Sequence, residues 1–220
     1  MHIRPDLLFQ MAGFPVTNTF VATIVTDIVI LSLVFVTSRK FSLSPGWMQN
    51  IVESVVVYFM ETTEEIAGDR SSFIYSWVLS FFLFIVISNL ISQFPGFESV
   101  RFYTSTSDHL GVPFLRAATS DLNLTLALAV VSVVVTHFLS VKHTGIKAYF
   151  SRFVTFKMFP IFLFVGILEF MNEVTKLVSF SFRLFGNIFA GERIMATMYS
   201  LCSFGVPIPF MFLELMVAIV

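Results

Sequence analysis

The chain has 220 residues, 56% of them hydrophobic and 12% charged, with 29 phenylalanines and a formal net charge of −1. A soluble domain carries about 25% charge, so this balance places the chain in the membrane class and argues against a nucleic-acid partner. The single cysteine, Cys202, excludes an intrachain disulfide and reads as a small apolar residue in a helix.

In chain order, the N-terminal stretch Met1–Gln10 contains Arg4, Pro5 and Asp6 and does not read as a cleavable signal. About 20 apolar residues are needed to cross a hydrocarbon core roughly 30 Å thick. The first such run is Thr19–Thr37, closed by Arg39 and Lys40. In Trp47–Ala67, Ile51, Val52, Val55, Val56, Phe59 and Ile66 alternate with Gln49, Glu53, Glu61, Glu64 and Glu65. That spacing predicts an amphipathic helix lying in the interface, introduced by Pro45-Gly46, its acids (with Asp69) forming a solvated face. The second span is Phe73–Phe94, ended by Pro95-Gly96. Gly96–Ser120 is polar, contains Pro113, and reads as an extramembrane loop. The third span is Leu122–Val141, ended by Lys142. A long apolar region with embedded charges runs from Met158 to about Leu201, and a last apolar run, Val206–Val220, follows Pro207 and Pro209.

The expected fold is an all-α membrane protein with about five transmembrane helices and one interfacial amphipathic helix, in one membrane domain covering 1–220. Basic residues set its orientation. Arg39, Lys40, Arg70, Lys142, Lys147, Arg152 and Lys157 lie on one side, against Arg4, Arg101 and Arg116 on the other. Segments 38–72 and 141–157 are therefore expected to face the cytoplasm, or its topological equivalent, and the N-terminus the outside.

The most informative residue is Arg183, inside Ser179-Phe-Ser-Phe-Arg-Leu-Phe-Gly-Asn187-Ile-Phe-Ala-Gly-Glu192. A cation at the centre of a spanning helix costs about 2.5–3.5 kcal/mol on insertion scales, so it marks an ion or substrate pathway by default. With Glu169 at 0° on a helix turning about 100° per residue, Asn172, Glu173, Lys176, Arg183 and Asn187 all fall between about −60° and 40°. A polar stripe this narrow cannot face lipid; it faces protein or water. Glu173 and Lys176 are spaced to pair on one helix, but no acid lies within a turn of Arg183. Its charge is therefore available to a partner elsewhere, on another chain included. Arginine suits this role because it stays charged where a desolvated lysine becomes neutral. Gly186, Ala190 and Gly191 would let another helix approach closely. Glu192 and Glu214 are further ionisable groups in apolar surroundings. Acids placed on both sides of a central arginine suit two aqueous half-paths that do not meet.

Ser181-Phe-Arg183-Leu-Phe-Gly-Asn187-Ile-Phe-Ala-Gly191-Glu192 closely resembles the signature of subunit a of F-type ATP synthases. Ala118-Thr-Ser-Asp121-Leu-Asn123-Leu-Thr-Leu-Ala-Leu-Ala129 is similar to a helix start in that family, and Pro45-Gly-Trp-Met-Gln49-Asn50-Ile-Val-Glu53 to its interfacial segment. The resemblance runs from about residue 20 to the end. It implies a long tilted helix hairpin packed on a ring of c subunits, with peripheral-stalk b subunits as further partners. It also implies that Arg183 faces the ring's carboxylate, with Asn187 one turn away. Glu192 and Glu214 then match outer half-channel acids, and Glu169 a carboxylate on the cytoplasmic path. Many relatives carry histidine at one of the 192 and 214 positions; glutamate at both keeps proton exchange chemically feasible. Glu173 and Lys176 receive no role. The family's last helix carries a glutamine about seven residues beyond the position of Glu214, which falls past Val220. With 206–220 only about 22 Å long, the sequence is expected to be a fragment or to have its last helix completed elsewhere.

The implied protein is a proton-translocating stator subunit that is not itself an enzyme, in a bacterial plasma membrane or alternatively an organellar inner membrane. No CxxC, HExxH, P-loop or GxGxxG pattern is present, so no metal, cofactor or direct nucleotide binding is expected. The competing reading is a stand-alone channel or secondary transporter, which would require a continuous pore or inverted repeats. An intramembrane hydrolase would need a Ser/Lys, Asp/Asp or HExxH arrangement that the spans do not offer in persuasive form.

Overall fold

A computed structural model describes residues 7–11, 14–39, 46–68, 71–94, 101–102, 112–153, 161–201 and 207–219. Expectations placed on Arg4, Lys40, Pro45, Asp69, Arg70, Pro95, Gly96, Lys157 and Cys202 lie outside them. Among the described residues, two short strands, β1 (Leu7–Met11) and β2 (Phe14–Thr17), precede seven α-helices: α1 (Asn18–Arg39), α2 (Trp47–Ala67), α3 (Ser71–Ser92), α4 (Leu122–Thr144), α5 (Ile146–Phe153), α6 (Ile161–Leu201) and α7 (Pro207–Ile219). Strands β3 (Arg101–Phe102) and β4 (Val112–Pro113) lie between α3 and α4. The all-α membrane class holds, and both strand pairs and α5 are additions to what the hydrophobic pattern predicts. Strands β3 and β4, of 2 residues each, are too short to leave a period-two signal, and α5 is a single amphipathic stretch of 8 residues inside the basic loop.

Among the described residues, three helices are long and apolar enough to cross a membrane by length and composition: Asn18–Arg39, Ser72–Ser92 and Leu122–Thr144. Within them the hydroxyls turn back on their own backbone. Thr26 donates to the Ala22 carbonyl (2.9 Å), Thr37 to Leu33 (2.7 Å) and Thr136 to Ser132 (2.8 Å). This removes the penalty of a bare donor in hydrocarbon. The sixth helix has 41 residues, about 62 Å of rise. That is twice the hydrocarbon thickness, so it runs steeply inclined or projects from the bilayer.

The chain divides into two compact units, 1–118 with 208–220, and 119–207. In the first, β1 and β2 pair antiparallel with an irregularity between Leu7 and Phe9. The first and second helices both pack on α3. Phe59 of α2 and Phe82 of α3 meet with ring centroids 4.6 Å apart. Gly68, at φ 57°, closes α2 by donating its N–H to the Glu64 carbonyl. The fully buried Asn18 donates to the Pro113 carbonyl at 3.4 Å, tying the β4 segment to the start of α1. Not all of 96–120 behaves as an exposed loop: Arg116, counted above among outward-facing charges, is 1% exposed. Its burial accompanies that of residues 117–121, which form the lead-in to α4.

In the second unit α4, α5 and α6 pack on one another. Asp121 caps α4, its carboxylate accepting from the Asn123 N–H at 2.9 Å. An aspartate there satisfies a donor that the first helical turn leaves without a partner. Gly145, at φ 84°, closes the same helix with its N–H on the Val141 carbonyl at 2.9 Å and lets α5 begin at once.

Candidate functional site

The polar stripe and the buried face of α6 are different faces. Buried Gly166, Ser181 and Ile188 lie between about 60° and 120° on the scale that puts Glu169 at 0°. The Ser181 hydroxyl meets the Thr125 hydroxyl of α4 at 3.4 Å, both residues being 1% exposed. Small hydroxylated residues at this contact let the two backbones approach closely. Arg183, two residues on and so about 200° round the helix, is exposed, as are Asn172 and Asn187. Among the described residues Arg183 has neither an ion pair nor a hydrogen-bonded side-chain partner.

The expected acids are distributed unevenly. Glu169, about 21 Å before Arg183 along the axis, is half-buried, with Oε1 shut off from solvent. Glu192 is half-buried, both carboxylate oxygens shielded. It sits near 140° on the same wheel, so it lies on the side of Ser181 and Ile188 and opposite Arg183. Its neighbour Arg193 is exposed and lies over the Phe189 ring at 5.1 Å, the guanidinium lodged on an aromatic face. Glu173 pairs with Lys176 at 3.1 Å, the i, i+3 contact its spacing predicts. The structure adds His137 of α4, whose Nε2 lies 3.7 Å from the same carboxylate.

Glu214 belongs to the first unit, where α7 buries it to 8% exposure. The side-chain amide of Gln93, just past the end of α3, hydrogen-bonds its carboxylate. One turn earlier, Asn89, 1% exposed, donates to the Ala218 carbonyl at 3.2 Å. Two amides four residues apart at the end of α3 thus meet two residues spaced i, i+4 on α7. Sequence reasoning missed both amides. The signal was the crowding of Ser88, Asn89, Ser92 and Gln93 into the last two turns of an otherwise apolar span. Among the described residues no group of three or more His, Cys, Asp or Glu side chains is arranged to hold a metal ion.

A family model described as ATP synthase A chain matches residues 19–220. The chain belongs to the ATP synthase A chain family. It is 28% identical to the ATP synthase subunit a of Moorella thermoacetica over 212 residues, 96% of this chain and 87% of the relative. It is also 28% identical to that of Syntrophobacter fumaroxidans, over 97% of this chain and 81% of the relative. The corresponding figures for Legionella pneumophila are 26%, 96% and 83%. Family membership and the apolar helices make the chain a multi-pass membrane protein with a role in the F0 sector of an ATP synthase, a membrane subunit of that complex.

Proposed function

We propose that this chain is the proton-translocating stator subunit of a rotary F-type ATP synthase, non-catalytic itself, with Arg183 turned toward a ring of c subunits. The single observation that carries this reading is the state of Arg183. It is a permanent cation on an exposed face of α6, without a partner among the described residues. A charge kept bare among Phe182, Leu184 and Phe185 costs free energy unless an external anion compensates it. A carboxylate arriving opposite a guanidinium is favoured in its ionised form and releases its proton. A carboxylate moving away takes a proton before it enters lipid. The arginine thereby separates the two events, and movement of the ring is coupled to net proton transfer.

Glu192 and Glu214 serve the outer half-path, and Glu169 serves the cytoplasmic one. Asn187, one turn from Arg183 on the same exposed face, offers a neutral amide to the same partner. The opposite facing of Arg183 and Glu192 supports two half-paths that do not meet, because the helix body stands between them. Peripheral-stalk b subunits hold the stator against rotation. The membrane is a bacterial plasma membrane or, as the alternative, an organellar inner membrane.

Arg183→Ala in the assembled complex tests the reading. Coupled ATP synthesis is expected to vanish while the complex still assembles; full coupled activity in that variant sinks it. The rival reading, a stand-alone channel or transporter, predicts proton conduction when the purified chain alone is placed in vesicles. The stator reading predicts none without the ring.

A further inference from the structure

His137 was not singled out by its sequence context, yet it joins three helices. Its Nδ1 is 2.7 Å from the Tyr149 hydroxyl of α5, and its Nε2 is 3.7 Å from Oε2 of Glu173 on α6. The other carboxylate oxygen of Glu173 is held by Lys176 at 3.1 Å. Both ring nitrogens are therefore engaged, one by a hydroxyl and one by a carboxylate. The side chains open outward in order: Glu173 is 16% exposed, His137 31% and Lys176 43%. Among the described residues, the groups facing the ring are Tyr149 from α5 and Glu173, backed by Lys176, from α6. Lys142, His143 and Lys147, at the adjoining ends of α4 and α5, are exposed.

We propose that Glu173 and His137 form a proton-exchange site on the 141–157 side of α6, with Tyr149 as its outlet, an inference that rests on the stator reading above. A proton arriving on the Glu173 carboxylate passes to Nε2 as the carboxyl O–H breaks and the ring N–H forms. The imidazolium gives its Nδ1 proton to the Tyr149 oxygen, whose own hydroxyl proton passes to water. One proton moves and nothing is oxidised or reduced; the ring is left with its hydrogen on Nε2, and loss of that proton to water with uptake of another at Nδ1 restores the starting tautomer. Lys176 compensates the carboxylate charge between transfers. At 3.7 Å the Nε2–Oε2 separation lies beyond hydrogen-bond distance, and a side-chain rotation closes it. Histidine suits an exchange site because its ordinary charge change falls near neutral pH.

The test uses the whole complex in inverted vesicles, measuring ATP-driven proton pumping over roughly pH 6 to 8, the range in which an imidazole ordinarily changes charge. His137→Gln is expected to lower pumping several-fold and flatten its pH profile. Glu173→Gln is expected to do the same, Tyr149→Phe to do so more weakly, and added imidazole to restore His137→Ala. Wild-type profiles in both His137→Gln and Glu173→Gln overturn the proposal. So does a uniform loss at every pH with no response to imidazole, which marks a packing role. If the His137 variants do not assemble, Glu173→Gln alone decides by the same profile. Arg183→Ala runs in parallel: if it pumps normally, the stator reading has failed. If it is dead while the His137 and Glu173 profiles stay wild-type, only the exchange site has failed.

Discussion

Asn89 of α3 donates its side-chain amide to the backbone carbonyl of Ala218, 129 residues away, at 3.2 Å. The amide is 1% exposed and the alanine 3%, so neither group has water as an alternative. Interhelical hydrogen bonds in membranes average about 0.6 kcal/mol and reach about 1.7. Leaving a buried acceptor bare puts this one toward the upper end. Asn89→Leu is expected to lower the unfolding free energy in detergent by about 1–2 kcal/mol. No change on denaturant titration would show that the contact is not formed.

Gln93 performs a related task one turn later, but its partner is a side chain with proposed chemistry. Losing a hydrogen bond worth about 1 kcal/mol from the Glu214 carboxylate leaves that group less well placed. Gln93→Leu is expected to slow proton flux about five-fold, and Glu214→Gln to slow it further. Equal, undiminished flux in both variants would remove this pair from the path.

Arg183 supplies the contrasting case. Because its side chain is exposed and has no partner among the described residues, removing it breaks no ion pair or hydrogen bond among them. Arg183→Ala is expected to change the stability of the isolated chain by less than about 0.5 kcal/mol. A larger loss in a detergent unfolding assay would reveal an intrachain partner and contradict the ring-facing assignment.

Ser181 sits at the contact of α4 with α6, against Thr125 at 3.4 Å. The residue is 1% exposed, so a larger side chain there must displace its neighbours. Overpacking costs about 1–3 kcal/mol, so Ser181→Leu is expected to destabilise the chain by that amount, and Ser181→Ala by less. Unfolding curves of the two variants separate these outcomes; a tolerated leucine would mean that the helices are not in close contact.

Asp121 gives a local test. Its carboxylate takes the Asn123 N–H at 2.9 Å, and removing such a cap costs about 1 kcal/mol. Asp121→Ala is expected to lose this in the same assay, while Asp121→Asn, which keeps an acceptor, is expected to stay within a few tenths.

The apolar runs and the amphipathic pattern were sufficient to place the long helices, though not α5. The segment Trp47–Ala67 has the bounds its alternation predicts, and α3 begins at Ser71 rather than Phe73. These features are local: hydrophobicity summed over about 20 residues decides membrane insertion, and helical period decides which side chains share a face. The Glu173–Lys176 contact was legible for the same reason, being one helical turn long.

Long-range contacts were not legible. Nothing in the pattern around His137 announces Glu173, and nothing around Gln93 announces Glu214, because these pairs are made by helices far apart in the chain. The burial of Arg116 and the engagement of Ser181, against the exposure of Arg183 two residues later, are likewise decided by packing. Sequence alone determined that this is a membrane protein with a charge-bearing helix and that Arg183, Asn187 and Glu169 share a stripe, since rotation per residue is a property of the helix itself. Tertiary structure decided which face of that helix the chain covers for itself and which it leaves open, because only the positions of neighbouring helices determine where water, lipid or another protein can reach.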